Sequence, residues 1–299
     1  MHSDLVYPVE TEVRDQIVRV AALEGHQDTF VIQVHIEDQG PFQFLLDTGA
    51  ATSLIDTQVA LGFPHALTAV TNSYLVTGSE RVPYDRVIRI DSLRVGDAHF
   101  KDFQATVFDL SSIAEALQTE IHGILGFPTF RDCLLTLDYE RREVSIESGA
   151  LPAANGRDLL KLVGDARRPT IPIMIEGAEI RAVVDTGFKG FLRLPKEAIT
   201  HTEEDVWLGR STTVAGVSSK AYVPLEEPAL LGGFRLHFPR FAMAGVDEGS
   251  PLIGSHILRR FRWTFDQRSR IVQVTPRGNE SLEQLPTSPL AAFASPDQR

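Results

Sequence analysis

Two aspartates in this chain stand in matching surroundings. Asp47-Thr48-Gly49 follows Phe44-Leu45-Leu46 and precedes Leu54-Ile55, while Asp185-Thr186-Gly187 follows Ala182-Val183-Val184 and precedes Phe191-Leu192. A carboxylate between two apolar runs is costly to bury unless it is hydrogen-bonded or paired, so two of them in equivalent contexts are expected to meet. Carboxylates held side by side cannot both ionise easily; they share a proton and titrate as a unit. Such a pair places a general base and a general acid at one point.

The elements needed to position the pair also occur twice. Ile124-Leu125-Gly126 lies downstream of Asp47, and Leu252-Ile253-Gly254 lies downstream of Asp185. The interval from Gly126 to Asp138 equals that from Gly254 to Asp266, with Arg131 and Thr136 matched by Arg259 and Thr264 at the same offsets. Each unit closes on alternating apolar residues, Val144 and Ile146 in one and Val272 and Val274 in the other, the period of a half-buried strand. Two long units are therefore present, not a solenoid with its period of roughly 20 to 50 residues.

Ahead of each aspartate the pattern is strand, turn, strand. Phe30 to Ile36 and Phe42 to Leu46 flank Glu37 to Pro41; Ile171 to Ile175 and Glu179 to Val184 flank Glu176-Gly177-Ala178. A further strand is expected at Gln16 to Ala22, and short helices at Ser111 to Thr119 and Pro195 to Ile199. The remainder alternates β-branched stretches with Gly, Pro, Asp and Asn turns, which predicts an all-β architecture. The organisation expected is an extension over 1–27, one lobe over 28–148, a connection over 149–168, a second lobe over 169–275, and a mobile Pro-, Ser- and Gln-rich tail over 276–299.

Composition narrows the classes. The 299 residues carry a net charge of -11 with a pI near 5.3, and no Lys/Arg cluster interleaved with aromatics occurs, so nucleic acid is not an expected partner. With 43% apolar and 23% charged residues each half can bury a core. Cys133 is the single cysteine and aligns with Phe261, which predicts a buried structural thiol and leaves no disulfide within the chain. No apolar run is long enough to span a bilayer and residues 1–14 lack the pattern of a secretory leader, so a cytoplasmic protein without a membrane span is expected.

On these residues the chain resembles the retropepsin-like and pepsin-like aspartic proteases, with both active-site loops in one polypeptide, over roughly residues 28–148 and 169–275. The resemblance implies two pseudo-symmetric retropepsin-like β-barrel lobes with an inter-lobe cleft, Asp47 and Asp185 as the catalytic dyad, and water activated between them for peptide hydrolysis, with no metal and no cofactor. It implies that Thr48 and Thr186 interlock across the lobes, that Gly49 and Gly187 let backbone amides approach the carboxylates, and that the strands ending in Gly126 and Gly254 support the loops. The substrate would be a peptide or protein. Because one chain holds both halves of the site, a monomer is expected.

Gly78 stands as far beyond Asp47 as Gly216 stands beyond Asp185. A Gly-centred turn at equal spacing predicts a hairpin flap from each lobe, with Tyr74, Thr77 and Gly78 in one and Ala215 and Gly216 in the other; two flaps make the chain similar to a fused retropepsin dimer. Tyr74 is the candidate for substrate contact, in a context unlike that of the pepsin flap tyrosine. Lys189, just past the second tripeptide, is expected to be a solvated surface lysine; pointing inward it would lower the dyad's pKa. Arg141-Arg142 and Arg259-Arg260 are expected on solvated faces, and His122 and His256 in structural hydrogen bonds. No His-x-x-x-His or Gly-x-Ser-x-Gly pattern is present. Two rivals remain: a pseudoprotease that binds peptides or proteins in the same cleft without cleaving them, and a structural β protein in which both tripeptides are plain turns with their carboxylates far apart.

Overall fold

The computed structural model describes residues 8, 10–13, 17–24, 28–77, 80–195, 207–213, 216–225, 227–236, 241–245, 250–278 and 282–284. The expected helix over Pro195 to Ile199 falls outside these except for Pro195, which ends a strand. Among the described residues no helix is long and apolar enough to cross a membrane.

The chain is all-β and forms two lobes joined by a shared sheet. In the first half, β1 (Glu10–Val13) and β2 (Ile17–Ala21) precede the hairpin of β3 (Phe30–Ile36) and β4 (Gln39–Asp47). The hairpin turns on Glu37 at φ 52 and Asp38, tighter than the expected Glu37 to Pro41, because a register shift between Val34 and Ile36 lets β4 start at Gln39. Then follow β5 (Ser53–Asp56), the short helix α1 (Thr57–Ala60) capped by the Asp56 carboxylate, β6 (Leu67–Thr77), β7 (Glu80–Val95) and β8 (Ala98–Phe108). Helix α2 (Ser111–Leu117) and β9 (Gly123–Gly126) complete the lobe. The strand order β8-β5-β9-β4-β3-β7 closes on itself because β7 also pairs with β8, so no open edge remains in that ring. Its core includes Phe30, Ile32, Phe44, Ile90, Phe100 and Phe103, all essentially inaccessible to solvent.

Leading out of the lobe are β10 (Leu134–Asp138) and β11 (Glu143–Glu147), then β12 (Leu159–Lys161) inside the expected connection. The second hairpin, β13 (Thr170–Ile175) and β14 (Ala178–Val184), turns on Glu176 and Gly177 at φ 46 and 78, the two positive values of a type I′ turn. After it come β15 (Leu192–Pro195), β16 (Trp207–Thr213), β17 (Gly216–Pro224), β18 (Ala229–Leu231), β19 (Phe234–Leu236), β20 (Phe241–Gly245) and β21 (Leu252–Ile253). A short helix α3 (Ser255–Leu258), β22 (Phe261–Asp266), β23 (Ile271–Pro276) and β24 (Leu282–Gln284) end the described chain.

The second lobe repeats the first with its long strands broken. Where β7 and β8 run unbroken in the first lobe, β17 and β18 replace one and β19 and β20 the other. The outer edge of β8 is covered by β1, with Thr11 opposite Phe100; the equivalent edge of β19 is covered by β24, with Leu282 opposite Leu236. The two covering strands come from opposite ends of the chain. Leu282–Gln284, expected within a mobile tail, is thus a paired strand: composition predicted disorder, and the exposed N–H and C=O groups of β19 supply the partner that composition cannot reveal.

Both halves build the sheet beneath, in the order β12-β23-β22-β10-β11-β2. Its centre pairs β10 with β22, with Thr136 opposite Thr264 and their hydroxyls 2.9 Å apart on the pseudo-twofold. On the flanks β2 and β12 occupy equivalent places, so each lobe is preceded by a strand that the other half's plan repeats. The fully buried Trp263, stacked on Phe265 at 6.2 Å and donating Nε1–H to the Leu258 carbonyl at 2.9 Å, lies in one apolar core that runs through both lobes. Burying aromatic surface of this size is a leading contribution to stability, and here it welds the lobes to one another.

Basic residues expected on solvated faces also tie parts together. Arg142 donates to the carbonyls of Leu23 and Thr29 at 3.2 and 3.0 Å and covers the Phe30 ring, and Arg259 bonds Asp28 of the first lobe at 3.0 Å. Adjacent basic residues read as surface because a sequence does not reveal the carbonyls and carboxylate that fold against them. Cys133 is buried, and burial pushes its thiol up to about 12.

Candidate active site

Asp47 ends β4, and β9 runs parallel beside it with Asp47 opposite Gly126; β5 flanks β9 on its far side, Leu54 opposite Ile124. In the second lobe β21 lies beside β14 with Val183 opposite Leu252, and β15 flanks it with Arg193 opposite Leu252. The loop after each aspartate has to wrap over the strand that supports it. A Cβ on Gly126 would sit 2.7 Å from the Thr52 carbonyl oxygen and 2.9 Å from that of Ala50, and one on Gly254 would sit 2.7 Å from the Phe188 carbonyl oxygen, so both positions have room for hydrogen alone. His122 and His256 flank these strands in structural contacts: Nδ1 of His122 accepts from the Gln43 amide at 3.0 Å, and His256 stands 3.8 Å from Asp28.

The loops meet at the threonines. The Thr48 hydroxyl donates to the Val184 carbonyl at 2.6 Å and accepts from the Thr186 amide at 3.1 Å; the Thr186 hydroxyl donates to the Leu46 carbonyl at 2.7 Å and accepts from the Thr48 amide at 3.0 Å. Both side chains are fully buried, and the six polar groups joined by these four hydrogen bonds are satisfied across the lobes, as burial demands.

This lock brings the two carboxylates side by side. Asp47 Oδ1 accepts from the Gly49 amide at 2.8 Å, and Asp185 Oδ1 accepts from the amides of Gly187 and Phe188 at 2.9 and 3.0 Å. Each carboxylate also reaches across to the opposite loop: a Cβ on Gly187 would lie 2.7 Å from Asp47 Oδ2, and one on Gly49 would lie within the Asp185 carboxylate. Glycine in both loops is thus required by the facing acid. The plain-turn rival, which needed the carboxylates far apart, does not describe this arrangement.

The pair is not electrically symmetric. Burial, then the Asp185 charge, raises the Asp47 carboxyl well above the ordinary range, although the amides of Gly49 and Ala50 oppose this. Burial also raises Asp185, but the Arg193 guanidinium, a hydrogen bond from Asp47 and the amides of Gly187 and Phe188 all pull it back. Burial and mutual repulsion therefore favour one proton shared by the pair, while the Arg193 guanidinium favours the ionised form of Asp185. Lys189 is exposed; the cation that bears on Asp185 is Arg193. Register explains why this residue escapes a gap-free reading of the repeat: Leu54 opposes Ile124 as Arg193 opposes Leu252, but Arg193 stands one position further from Asp185 than Leu54 stands from Asp47.

Around Asp47 the wall is apolar. Val31, Leu45, Leu54, Leu110, Ile121 and Ile124 form a cluster separate from the main core, and Ala50, Leu75 and residues of α2 pack on it. Leu75 comes from the hairpin of β6 and β7, where Leu75 faces Val82. Tyr74 is 48% exposed on the alternate face, under the Arg81 guanidinium at 4.7 Å. Thr77 pairs with Glu80 at the end of this hairpin, and Gly216 pairs with Thr213 at the end of the hairpin of β16 and β17; Gly78 and Ala215 lie outside the described residues. Both expected hairpins exist, and β16 runs against α2 of the other lobe. Leu75, Arg168 and Arg193 were not singled out in the sequence, since none belongs to a repeated motif.

No curated protein gives a significant match to the chain. Residues 32–129, from within β3 past the turn that follows Gly126, match the family model described as aspartyl protease. That stretch holds Asp47, the loop that follows it and the supporting strand, and the match supports a retropepsin-like aspartic protease.

Proposed function

We propose that the chain is an aspartic endopeptidase that hydrolyses peptide bonds with water activated by Asp47 and Asp185. The family match supports a protease in general terms. The observation that carries the finer reading is the paired carboxylates, each cradled by its own loop amides and pressed against the glycine of the other loop.

In this reading the ionised member, Asp185, takes a proton from a water held between the acids. Asp47 gives its proton to the carbonyl oxygen of the scissile bond. Oxygen from the water bonds to the carbonyl carbon; the C–N bond then breaks as the amine leaving group gains a proton from Asp185, and a hydroxyl of the tetrahedral intermediate returns its proton to Asp47 as the carbonyl reforms, so one carboxyl ends protonated as at the start. The substrate is a peptide or protein chain lying extended between the lobes, held by backbone hydrogen bonds under the two hairpins. Thr48, Thr186, Gly49, Gly187, Gly126 and Gly254 fix the geometry. Tyr74, Thr77, Gly78, Ala215 and Gly216 belong to the hairpins that would close over the substrate.

The test is cleavage of a peptide library from acid to neutral pH by the unaltered chain beside Asp47→Asn and Asp185→Asn. Each substitution is expected to remove cleavage, and a variant that cleaves as well as the unaltered chain would end the mechanism. Peptides bound but never cut by the unaltered chain would replace hydrolysis with capture.

A further inference from the structure

The two walls beside the carboxylates are built on the same strands in the same register, yet they differ in charge. In the first lobe Val31, Leu45, Ile124 and Leu54 lie in one row across β3, β4, β9 and β5. The corresponding row in the second lobe is Thr170, Val183, Leu252 and Arg193 across β13, β14, β21 and β15. Register partners point to one face of a sheet and residues two apart share it, so Arg193 lies on the face that carries Asp185. Arg168, in the turn two residues before Thr170, is close enough for its charge to bear on Arg193. Where the first lobe has Thr29 and Leu54, the second has two guanidiniums.

Arg193 is fixed and only partly solvated. Its Nε and Nη2 donate to the Ser250 carbonyl at 3.1 and 2.7 Å, which orients the guanidinium without neutralising it. Arg168 is half-buried. The acid near Arg168 is Asp165, whose carboxylate is bound by Arg167 at 2.6 Å. A dyad that shares one proton offers a single negative charge. Arg193 bears on that charge and Arg168 adds a second positive charge beside it, so positive charge is left over on this wall among the described residues, and a partly desolvated cation without a full counter-charge is a recognition element for a carboxylate.

An extended peptide sends successive side chains to opposite sides, so the two residues flanking the scissile bond address different walls. Resting on the endopeptidase reading above, we propose that the second-lobe wall is a subsite for an acidic side chain: Arg193, with Arg168 beside it, receives the carboxylate of an Asp or Glu next to the scissile bond, while the wall around Leu54 receives an apolar neighbour. The chain would then cut between an apolar and an acidic residue.

The experiment uses the full chain and matched peptides that differ only by Glu or Gln on the acidic side of the bond, with both orders of the flanking residues. The Glu peptide is expected to show a kcat/KM on the order of tenfold higher than the Gln peptide, the scale of one charge-assisted hydrogen-bonded contact. Arg193→Leu, which installs the first lobe's residue, should bring that ratio towards one, and Arg168→Gln should lower it in part. Should Arg193→Leu fail to fold, Arg168→Gln at its half-exposed position decides. A ratio of one in the unaltered chain, or an unchanged ratio in the folded variants, overturns the subsite. If the unaltered chain cuts neither peptide, hydrolysis fails separately. Fluorescence anisotropy with the same pair then settles the subsite, tighter Glu binding supporting it and equal binding overturning it.

Discussion

The loop around Asp47 and the loop around Asp185 share a backbone and differ in their electrostatics. Both rest on a parallel strand ending in glycine, both are locked by a threonine that bonds the other lobe, and both present a carboxylate to the facing glycine. One then faces Leu54 and its apolar neighbours, the other Arg193. The duplicated scaffold is held in common because each part of it is needed twice to bury the same polar groups. The walls are free to diverge, and the second sets a cation beside its carboxylate where the first sets a leucine.

If the scaffold is symmetric, equivalent substitutions should hurt equally. Gly49→Ala and Gly187→Ala each push a methyl into the opposite carboxylate; displacing a reacting group by about 1 Å costs roughly 10²-fold, so both variants are expected to lose about that much kcat/KM while remaining folded. A large loss in one alone would break the symmetry argument. Thr48→Val and Thr186→Val each strand a buried carbonyl and a buried amide of the other lobe, at a cost of about 2–3 kcal/mol each in denaturant unfolding. Unequal costs, or none, would show that the lock is not shared.

If the walls differ as described, equivalent substitutions there should act unequally. Arg193 favours the ionised form of Asp185, so Arg193→Leu should move the acid limb of the kcat/KM profile to higher pH, because the carboxylate that serves as base then forms later. Asp47 faces Asp185, whose charge also reaches the buried Tyr139, and both remain in the variant. An unmoved limb would mean that the guanidinium does not bias the pair. The smallest effect expected is on stability. A raised carboxyl binds its proton more tightly in the folded chain than in the unfolded one, so stability falls as pH rises from the ordinary carboxylate range through the raised value. Burial raises both carboxyls, and Asp47→Asn and Asp185→Asn should therefore each gain more stability at neutral than at acid pH. Thermal unfolding of the two variants at both pH values checks the sign.

Motifs that recur at fixed spacing were legible in the sequence, and pairings between distant segments were not. The two Asp-Thr-Gly loops, the strands ending in Gly126 and Gly254 and both leading hairpins could be read because each is local or repeats without a gap. By contrast, β12 sits in a stretch rich in turn formers, and β24 in one that reads as disordered. Their pairing with β23 and β19 depends on edges formed far away in the chain, and strand register is set by tertiary context. Arg193 was hidden by a single extra residue, which shifts it out of step with Leu54. Tyr74 attracts notice as an aromatic near a predicted turn, yet the alternation of β6 places Leu75, not Tyr74, against the wall beside Asp47.

The central claim is that Asp47 and Asp185 share one proton. Titrating the side-chain carboxyl carbons of labelled aspartate by NMR, with Asp47→Asn and Asp185→Asn used to assign the two signals, tests it without any substrate. The account predicts that one carboxyl, Asp47, keeps its proton well above the ordinary carboxylate range, and that Asp185→Asn moves this titration down by removing the neighbouring charge. Two carboxyls that titrate independently in the ordinary range, each indifferent to substitution of the other, would contradict it.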